Sequence, residues 1–321
     1  MSPPPSAVPF QTPIRLEGPW REPVQMLQEQ SYDGHGSVHD GENAAALGLA
    51  GAPIEGPTHF SQFDPLAFDR WGIRWFEHGC ISSHFRTMVV EGEQVRASIT
   101  VTPAGGPDAA TIEAHKPDGT PVLEGSMSVG PDHPPTALAR RRAGQPPPGA
   151  LFIIDQLEVG LRIVDDEASA ITFGDRNGSL YPFSLAEKVE RITEPHPWYT
   201  PDGSASSPWG RPIVPFEMLS VLTNKGRAFP VRGPALGLFL DLEVRMLDGP
   251  VFVDQPYVVH REVIGLGQSR RTESYWTESI LVEEGTGRQV AVVVLHQGVF
   301  KDSYAGYPGQ DPGVTTSERM P

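Results

Sequence analysis

The sequence predicts an α+β protein built from two units of one kind. The length of 321 residues fits about two domains of roughly 150 residues each. The 34 glycines and 34 prolines favour many short strands and turns over a helical bundle. Each half of the chain also shows helical segments followed by a run of strand-like segments. A helix followed by an antiparallel meander, found twice, indicates two α+β units.

The first unit contains two predicted helices and a meander. An alanine-rich helix is predicted over residues 43–49, and residues 57–71 place Phe60, Phe63 and Trp71 at helical spacing. Turns containing Gly, Pro or Asp then separate the predicted strands, which cover residues 79–90, 94–102, 110–116 and 122–129.

The second unit repeats this order of elements. Helices are predicted over residues 184–192 and 216–226. The predicted strands cover residues 236–246, 252–266, 269–283 and 289–301. We therefore expect an N-terminal unit at 1–130, a proline- and arginine-rich linker at 131–150, a C-terminal unit at 151–305 and a polar tail at 306–321.

Composition excludes several functional classes. The net charge of −15 argues against a protein that coats nucleic-acid phosphates. The single cysteine, Cys80, excludes a disulfide scaffold and cysteine-ligated zinc or iron–sulfur sites, and we expect it to be a buried thiol. No basic, apolar leader and no long apolar run is visible. We therefore expect a cytoplasmic protein without a membrane partner.

Two pairs of segments carry a family resemblance. Residues 53–59 read P-I-E-G-P-T-H and residues 211–217 read R-P-I-V-P-F-E, each ahead of a predicted helix. Upstream of them, residues 33–40 read D-G-H-G-S-V-H-D and residues 194–199 read E-P-H-P-W-Y. They resemble the P-I-x-H-G and D-x-N-P-x-H-x-D segments of the double hotdog, MaoC-like (R)-specific enoyl-CoA hydratase/dehydratase superfamily. Both motifs are degenerate, since Glu55 and Val214 stand where the family has the histidine before glycine.

The resemblance implies a double hotdog, in which two curved antiparallel sheets each wrap a central helix. It also implies a hydro-lyase that hydrates or dehydrates an apolar acyl thioester or a related enoyl or carbonyl substrate. A carboxylate and a histidine on one loop can position a water and move its proton. N–H groups at a helix N-terminus can stabilise the enolate-like oxygen.

The candidate site residues follow from these roles. The expected water-activating pair is Asp33 and His39, with His59 beside it in neutral form. A reserve catalytic set in the second unit comprises Glu194, His196 and Tyr199. The expected substrate-binding residues are Glu55, Gly56, Thr58, Trp198, Arg211 and Glu217.

Each candidate also has a structural interpretation. Asp33 can form a turn, His39 can lie in a surface loop, and His59 can be a core histidine. The second-unit set can simply anchor a unit that completes the pseudo-dimer. Glu217 can favour its helix dipole or be a buried carboxylate. Arg211 can pair with Glu217 or with a substrate carboxylate. Which unit carries the site therefore stays open at this point.

The expected ligand is an apolar small molecule, with coenzyme A as one candidate carrier. The histidine spacing matches no metal-binding helix motif, so neither a metal nor another cofactor is expected. No nucleic-acid partner is expected, and the chain is expected to form a homo-oligomer. The alternative functions are a hotdog thioesterase and a non-catalytic acyl- or lipid-binding partner subunit.

Overall fold

A computed structural model describes residues 13–31, 34–101 and 108–308. Within these ranges, every strand belongs to one antiparallel sheet. The strands are β1 (Ile14–Glu17), β2 (Gly79–Phe85), β3 (Arg96–Val101), β4 (Ala109–His115), β5 (Pro121–Val129), β6 (Arg162–Val164), β7 (Gly237–Met246), β8 (Tyr257–Gln268), β9 (Thr272–Glu283) and β10 (Gln289–Phe300). Their order across the sheet is β1-β3-β4-β5-β2-β7-β10-β9-β8-β6.

The helices of the described ranges are short. The α-helices are α1 (Gly41–Ala46), α2 (Asp64–Trp71), α3 (Arg74–His78), α4 (Ala137–Ala143), α5 (Leu185–Val189), α6 (Pro201–Ser204) and α7 (Leu219–Thr223). The 3-10 helices cover Gly56–Phe63, Pro197–Tyr199, Phe216–Met218 and Lys301–Ser303. No helix in the described part of the chain has the length and apolar character needed to cross a membrane.

The two units meet in the middle of the sheet. Strand β2 of the first unit pairs with β7 of the second, for example through Ser82 opposite Glu243. The five strands of each unit thereby form one continuous surface. The central helix of the first unit comprises Gly56–Phe63 and α2, and that of the second comprises Phe216–Met218 and α7. The two contact each other at their 3-10 segments, and the ring of Trp75 on α3 stacks on Phe216 with centroids 4.5 Å apart.

The first central helix changes character along its length. The predicted single helix is a 3-10 segment, Gly56–Phe63, followed by α2. Pro65 has no N–H to donate to residue 61, which interrupts the α-helical bonding at this point. The predicted apolar face is nevertheless confirmed, because Phe60, Phe63 and Trp71 are all buried.

The segment between the units is not an extended linker throughout. Residues 137–143 form α4, whose N-cap Thr136 accepts a hydrogen bond from Ala139 N. Leu138 N donates to Ser82 Oγ (3.0 Å), and Arg141 Nε donates to Asp241 Oδ1 (3.0 Å). The helix therefore lies against the face of the sheet opposite the central helices, and one arginine of the basic triplet forms an ion pair there.

Candidate active site

A cavity of about 520 Å³ opens at the start of the Gly56–Phe63 helix. Residues of both units line it. The first unit contributes the loop around His39 and the helix start, and the second contributes inward-facing residues of β7, β8, β9 and β10. Four of the predicted site residues line this cavity, namely His39, Glu55, Gly56 and His59.

His39 is held as a neutral proton acceptor. Its Nδ1 lies 2.7 Å from Pro53 O. A carbonyl can only accept, so Nδ1 carries the proton and Nε2 keeps a lone pair. Burial lowers the pKa of His39, although the bond to the Pro53 carbonyl opposes this shift. Asp40 fixes the neighbouring backbone by capping α1 through Glu42 N and Asn43 N, as the acid-before-helix pattern predicts.

Glu55 titrates near neutrality. It immediately precedes the helix, and its side chain is buried. Burial raises its pKa to about 7, with the Lys188 ammonium acting in the opposite direction and the Glu217 carboxylate adding to the rise. Its Oε1 has no hydrogen-bond partner among the described residues. Glu55 can therefore both give and take a proton at neutral pH.

His59 is neutral, and burial is the main cause. Burial, with the Lys188 and Lys116 ammonium groups acting in the same direction, lowers the pKa of His59 to about 4. Gln62 Nε2 lies 3.3 Å from its Nδ1. An amide N–H donating to Nδ1 leaves the proton on Nε2. His59 then offers a hydrogen-bond donor, complementary to the acceptor on His39.

Lys188 is a buried cation next to the candidate site that the sequence analysis did not identify. It lies on α5 of the second unit and is only 2% exposed. Its Nζ donates to Thr58 Oγ1 (3.1 Å), and lies 2.7 Å from Glu217 Oε1 and 4.0 Å from Glu55 Oε2. The signal in the sequence was weak: Lys188 falls three residues after the buried Leu185, on the apolar face of a short helix.

Two predicted substrate-binding residues therefore have another environment. Thr58 and Glu217 contact Lys188 in a buried ionic cluster and do not line the cavity. The expected pair of Glu217 with Arg211 is not formed, since Arg211 lies over the Phe252 ring at 4.3 Å. Arg211 and Trp198 are likewise absent from the cavity wall.

The reserve set of the second unit does not reach the cavity. Glu194 forms two hydrogen bonds with Arg21, at 2.5 and 3.0 Å. The buried Tyr199 donates to Asp64 Oδ2 (2.9 Å), and the His196 and Trp198 rings pack with centroids 4.7 Å apart. Aromatic side chains thus fill the space beside the second central helix. The additional rings in this cluster are Phe68, Phe76 and Trp209.

Asp33, the expected partner of His39, lies outside the described residues. Among the described residues, no group of three or more His, Cys, Asp or Glu side chains is placed to hold a metal ion.

Comparison with known proteins shows similarity in structure alone. No protein-family model matches the chain, and no curated protein matches it in sequence. RV0216 from Mycobacterium tuberculosis, described as a conserved hypothetical protein with a double hotdog fold, matches at a TM-score of 0.58 and 14% identity. That match covers 91% of this chain and 97% of the other.

Two weaker structural matches are dehydratases. A MaoC-like dehydratase matches at a TM-score of 0.47 and 13% identity, covering 81% of this chain and 87% of its own. The dehydratase domain of PpsC from Mycobacterium tuberculosis, solved in complex with C12:1-CoA, matches at 0.44 and 11%, covering 89% and 93%. The similarity to RV0216 and the continuous sheet around two central helices confirm the predicted fold: the chain is a double hotdog protein.

Proposed function

We propose that this protein is a hydro-lyase that hydrates or dehydrates an apolar acyl thioester or a related enoyl or carbonyl compound. The observation that carries the proposal is that one cavity is lined by both a neutral histidine and a carboxyl group whose pKa is raised by burial to about 7. These two groups are His39 and Glu55. Their cavity opens at a helix start, where backbone N–H groups can stabilise a developing oxyanion.

The two groups divide the reaction between them. In dehydration, His39 Nε2 takes the proton from the carbon next to the carbonyl, and the protonated Glu55 gives its proton to the departing hydroxyl. The C–H and C–O bonds break, the C=C bond forms, and water leaves. His39 then loses its proton to solvent and Glu55 regains one. His59 donates a hydrogen bond to the substrate carbonyl and lowers the energy of the enolate.

The experiment is hydration of trans-2-octenoyl-CoA, followed by loss of the conjugated thioester absorbance. His39→Gln and Glu55→Gln are each expected to lower turnover by about 10²–10⁴-fold, the usual contribution of a general acid or base. Glu55→Gln should also remove the inflection near pH 7 from the pH profile, because that group titrates at about 7. Matched controls are His78→Gln and Glu124→Gln, since neither side chain lines the cavity.

The products decide between this proposal and its alternatives. Free octenoic acid and coenzyme A would show a thioesterase. Retained ligand without any product would show a binding subunit. Folded His39→Gln and Glu55→Gln variants with wild-type turnover would refute the assignment of the site. If trans-2-octenoyl pantetheine replaces the CoA thioester without loss, coenzyme A is not the required carrier.

A further inference from the structure

One wall of the cavity is polar although it belongs to the sheet face that builds the core. The inward side of β8 runs Val259, Arg261, Val263, so a charged residue stands between two buried valines. On the neighbouring strand β9, Thr277 and Ser279 take the corresponding positions. Ser279 is directly opposite Arg261, and Thr277 is opposite Val263. We call Arg261, Thr277 and Ser279 the polar wall.

All three side chains are buried and line the cavity. Arg261 is 6% exposed, Thr277 4% and Ser279 5%. Trp276, the residue of β9 that precedes Thr277, is on the other face of the sheet, where it stacks on His296 with ring centroids 3.8 Å apart. The strand alternation therefore directs the Thr277 and Ser279 hydroxyls towards the inner face.

Three polar groups of this wall lack a hydrogen-bond partner among the described residues. Arg261 Nε is buried and has no hydrogen-bond partner among the described residues. The other guanidinium nitrogens are occupied, because Nη1 donates to Arg227 O (2.5 Å) and Nη2 pairs with Asp165. The described residues likewise supply no hydrogen-bond partner for the hydroxyl of Thr277 or of Ser279. Leaving a buried donor such as Arg261 Nε unpaired costs about 1–3 kcal/mol.

The hydrogen-bonding groups of the polar wall indicate which kind of ligand atom binds there. An alkyl chain here would leave an N–H and two hydroxyls without partners, whereas an oxygen atom can pair with them. Asp165 already balances the charge of Arg261, so the wall does not favour a carboxylate or a phosphate. A neutral hydroxyl or carbonyl oxygen fits both requirements. A site built for such an oxygen also discriminates against the analogue that lacks it.

We propose that the polar wall binds a hydroxyl or carbonyl oxygen on the part of the substrate remote from the reacting carbons, so that the substrate is an oxygenated molecule rather than a plain hydrocarbon chain. The distance of this oxygen from the reacting carbons rests on the proposed function, which places the reaction beside His39 and Glu55. The binding of the oxygen itself does not depend on catalysis. It can therefore be measured without turnover.

The test compares linear alcohols from hexanol to dodecanol with the matching terminal diols. Affinity is measured by displacement of a fluorescent dye bound in the cavity. In the wild-type protein, the diol that spans the cavity should bind about tenfold more tightly than its alcohol, which corresponds to about 1.4 kcal/mol. The double variant Thr277→Val/Ser279→Ala should lose this preference. Ser274→Ala, on the same strand but outside the cavity lining, should keep it.

Two outcomes would overturn the proposal. One is a wild-type protein that prefers the alcohol at every chain length, which would show that water alone satisfies the polar wall. The other is a double variant that retains the preference for the diol. The His39→Gln variant should also prefer the diol. Failure of the hydratase assay with an intact diol preference would therefore reject the proposed reaction and leave the oxygen site standing.

Discussion

Replacing Lys188 with methionine tests the buried ionic cluster that joins the two units. The change removes the ammonium group while keeping a side chain of similar length. Glu217, which is 1% exposed and 2.7 Å from Nζ, loses its partner, and Glu55 loses the cation at 4.0 Å. Two buried carboxyl groups then remain without a balancing charge.

The expected loss of stability is large. Removing one partner of a buried ion pair costs about 3–5 kcal/mol, because the remaining charge is left desolvated. The entropy of unfolding is about 2.1 cal/mol/K per residue, so a chain of this length changes by about 0.7 kcal/mol for each degree. Lys188→Met should therefore lower Tm by about 4–7 °C at neutral pH, measured by circular dichroism.

The loss should depend on pH. The Lys188 ammonium opposes the rise in the pKa of Glu55, so without the cation that pKa rises further in the folded state. A carboxyl whose pKa is raised by folding contributes stability below its unfolded value, about 4.3, and loses it as the pH rises through the folded value. The difference in Tm between wild type and variant should therefore be greater at about pH 8 than at about pH 5.

The matched control is the double variant Lys188→Met/Glu217→Gln. It removes the charge of the orphaned carboxyl together with the ammonium, so it should recover part of the lost stability. The reasoning would be refuted if Lys188→Met lost the same stability at both pH values and the double variant were no more stable than the single one. That result would assign the effect to packing of the lysine stem.

Three further results are expected. Gly226→Ala should destabilise the protein by about 1–3 kcal/mol in urea unfolding, because the new Cβ would overlap the pair between Arg261 and Asp165. Burial raises the pKa of Asp241, but hydrogen bonds with His296 and His84 outweigh this effect and hold that pKa below its usual range. Wild-type stability should therefore fall below about pH 4, and Asp241→Asn should flatten that fall in acid titrations followed by fluorescence. His196→Ala should leave octenoyl-CoA turnover within about twofold of wild type, since His196 does not line the cavity; a large loss would place chemistry in the second unit.

Much of the fold was predictable because its signals are local. The alternation Val259, Arg261, Val263 has the period of a strand, and every predicted strand has an observed counterpart, β2 to β5 and β7 to β10. The short edge strands β1 and β6 were missed because four and three residues are too few to show a period. Helix α4 was missed because its stability comes from contacts with the sheet, such as Leu138 N with Ser82 Oγ.

The candidate site was predictable only where its residues are close in sequence. The loop and the helix start bring His39, Glu55 and His59 to one cavity, as their motif positions suggested. Lys188 and the polar wall are distant in sequence from these residues, and no local pattern links them. The environments of Glu194 and Tyr199 could not be predicted from the sequence either. Their hydrogen-bond partners, Arg21 and Asp64, belong to the other unit.

The pairing of β2 with β7 gives the second unit a purpose that does not require chemistry of its own. Because the units share backbone hydrogen bonds, separating them would expose two long strand edges in the middle of the molecule. Under the proposed function, the second unit needs no acid–base groups of its own, and aromatic rings lie beside its central helix. It still supplies β7, the polar wall and Lys188. In a protein built from two such units, one unit can supply the acid–base groups while the other supplies residues that line the cavity.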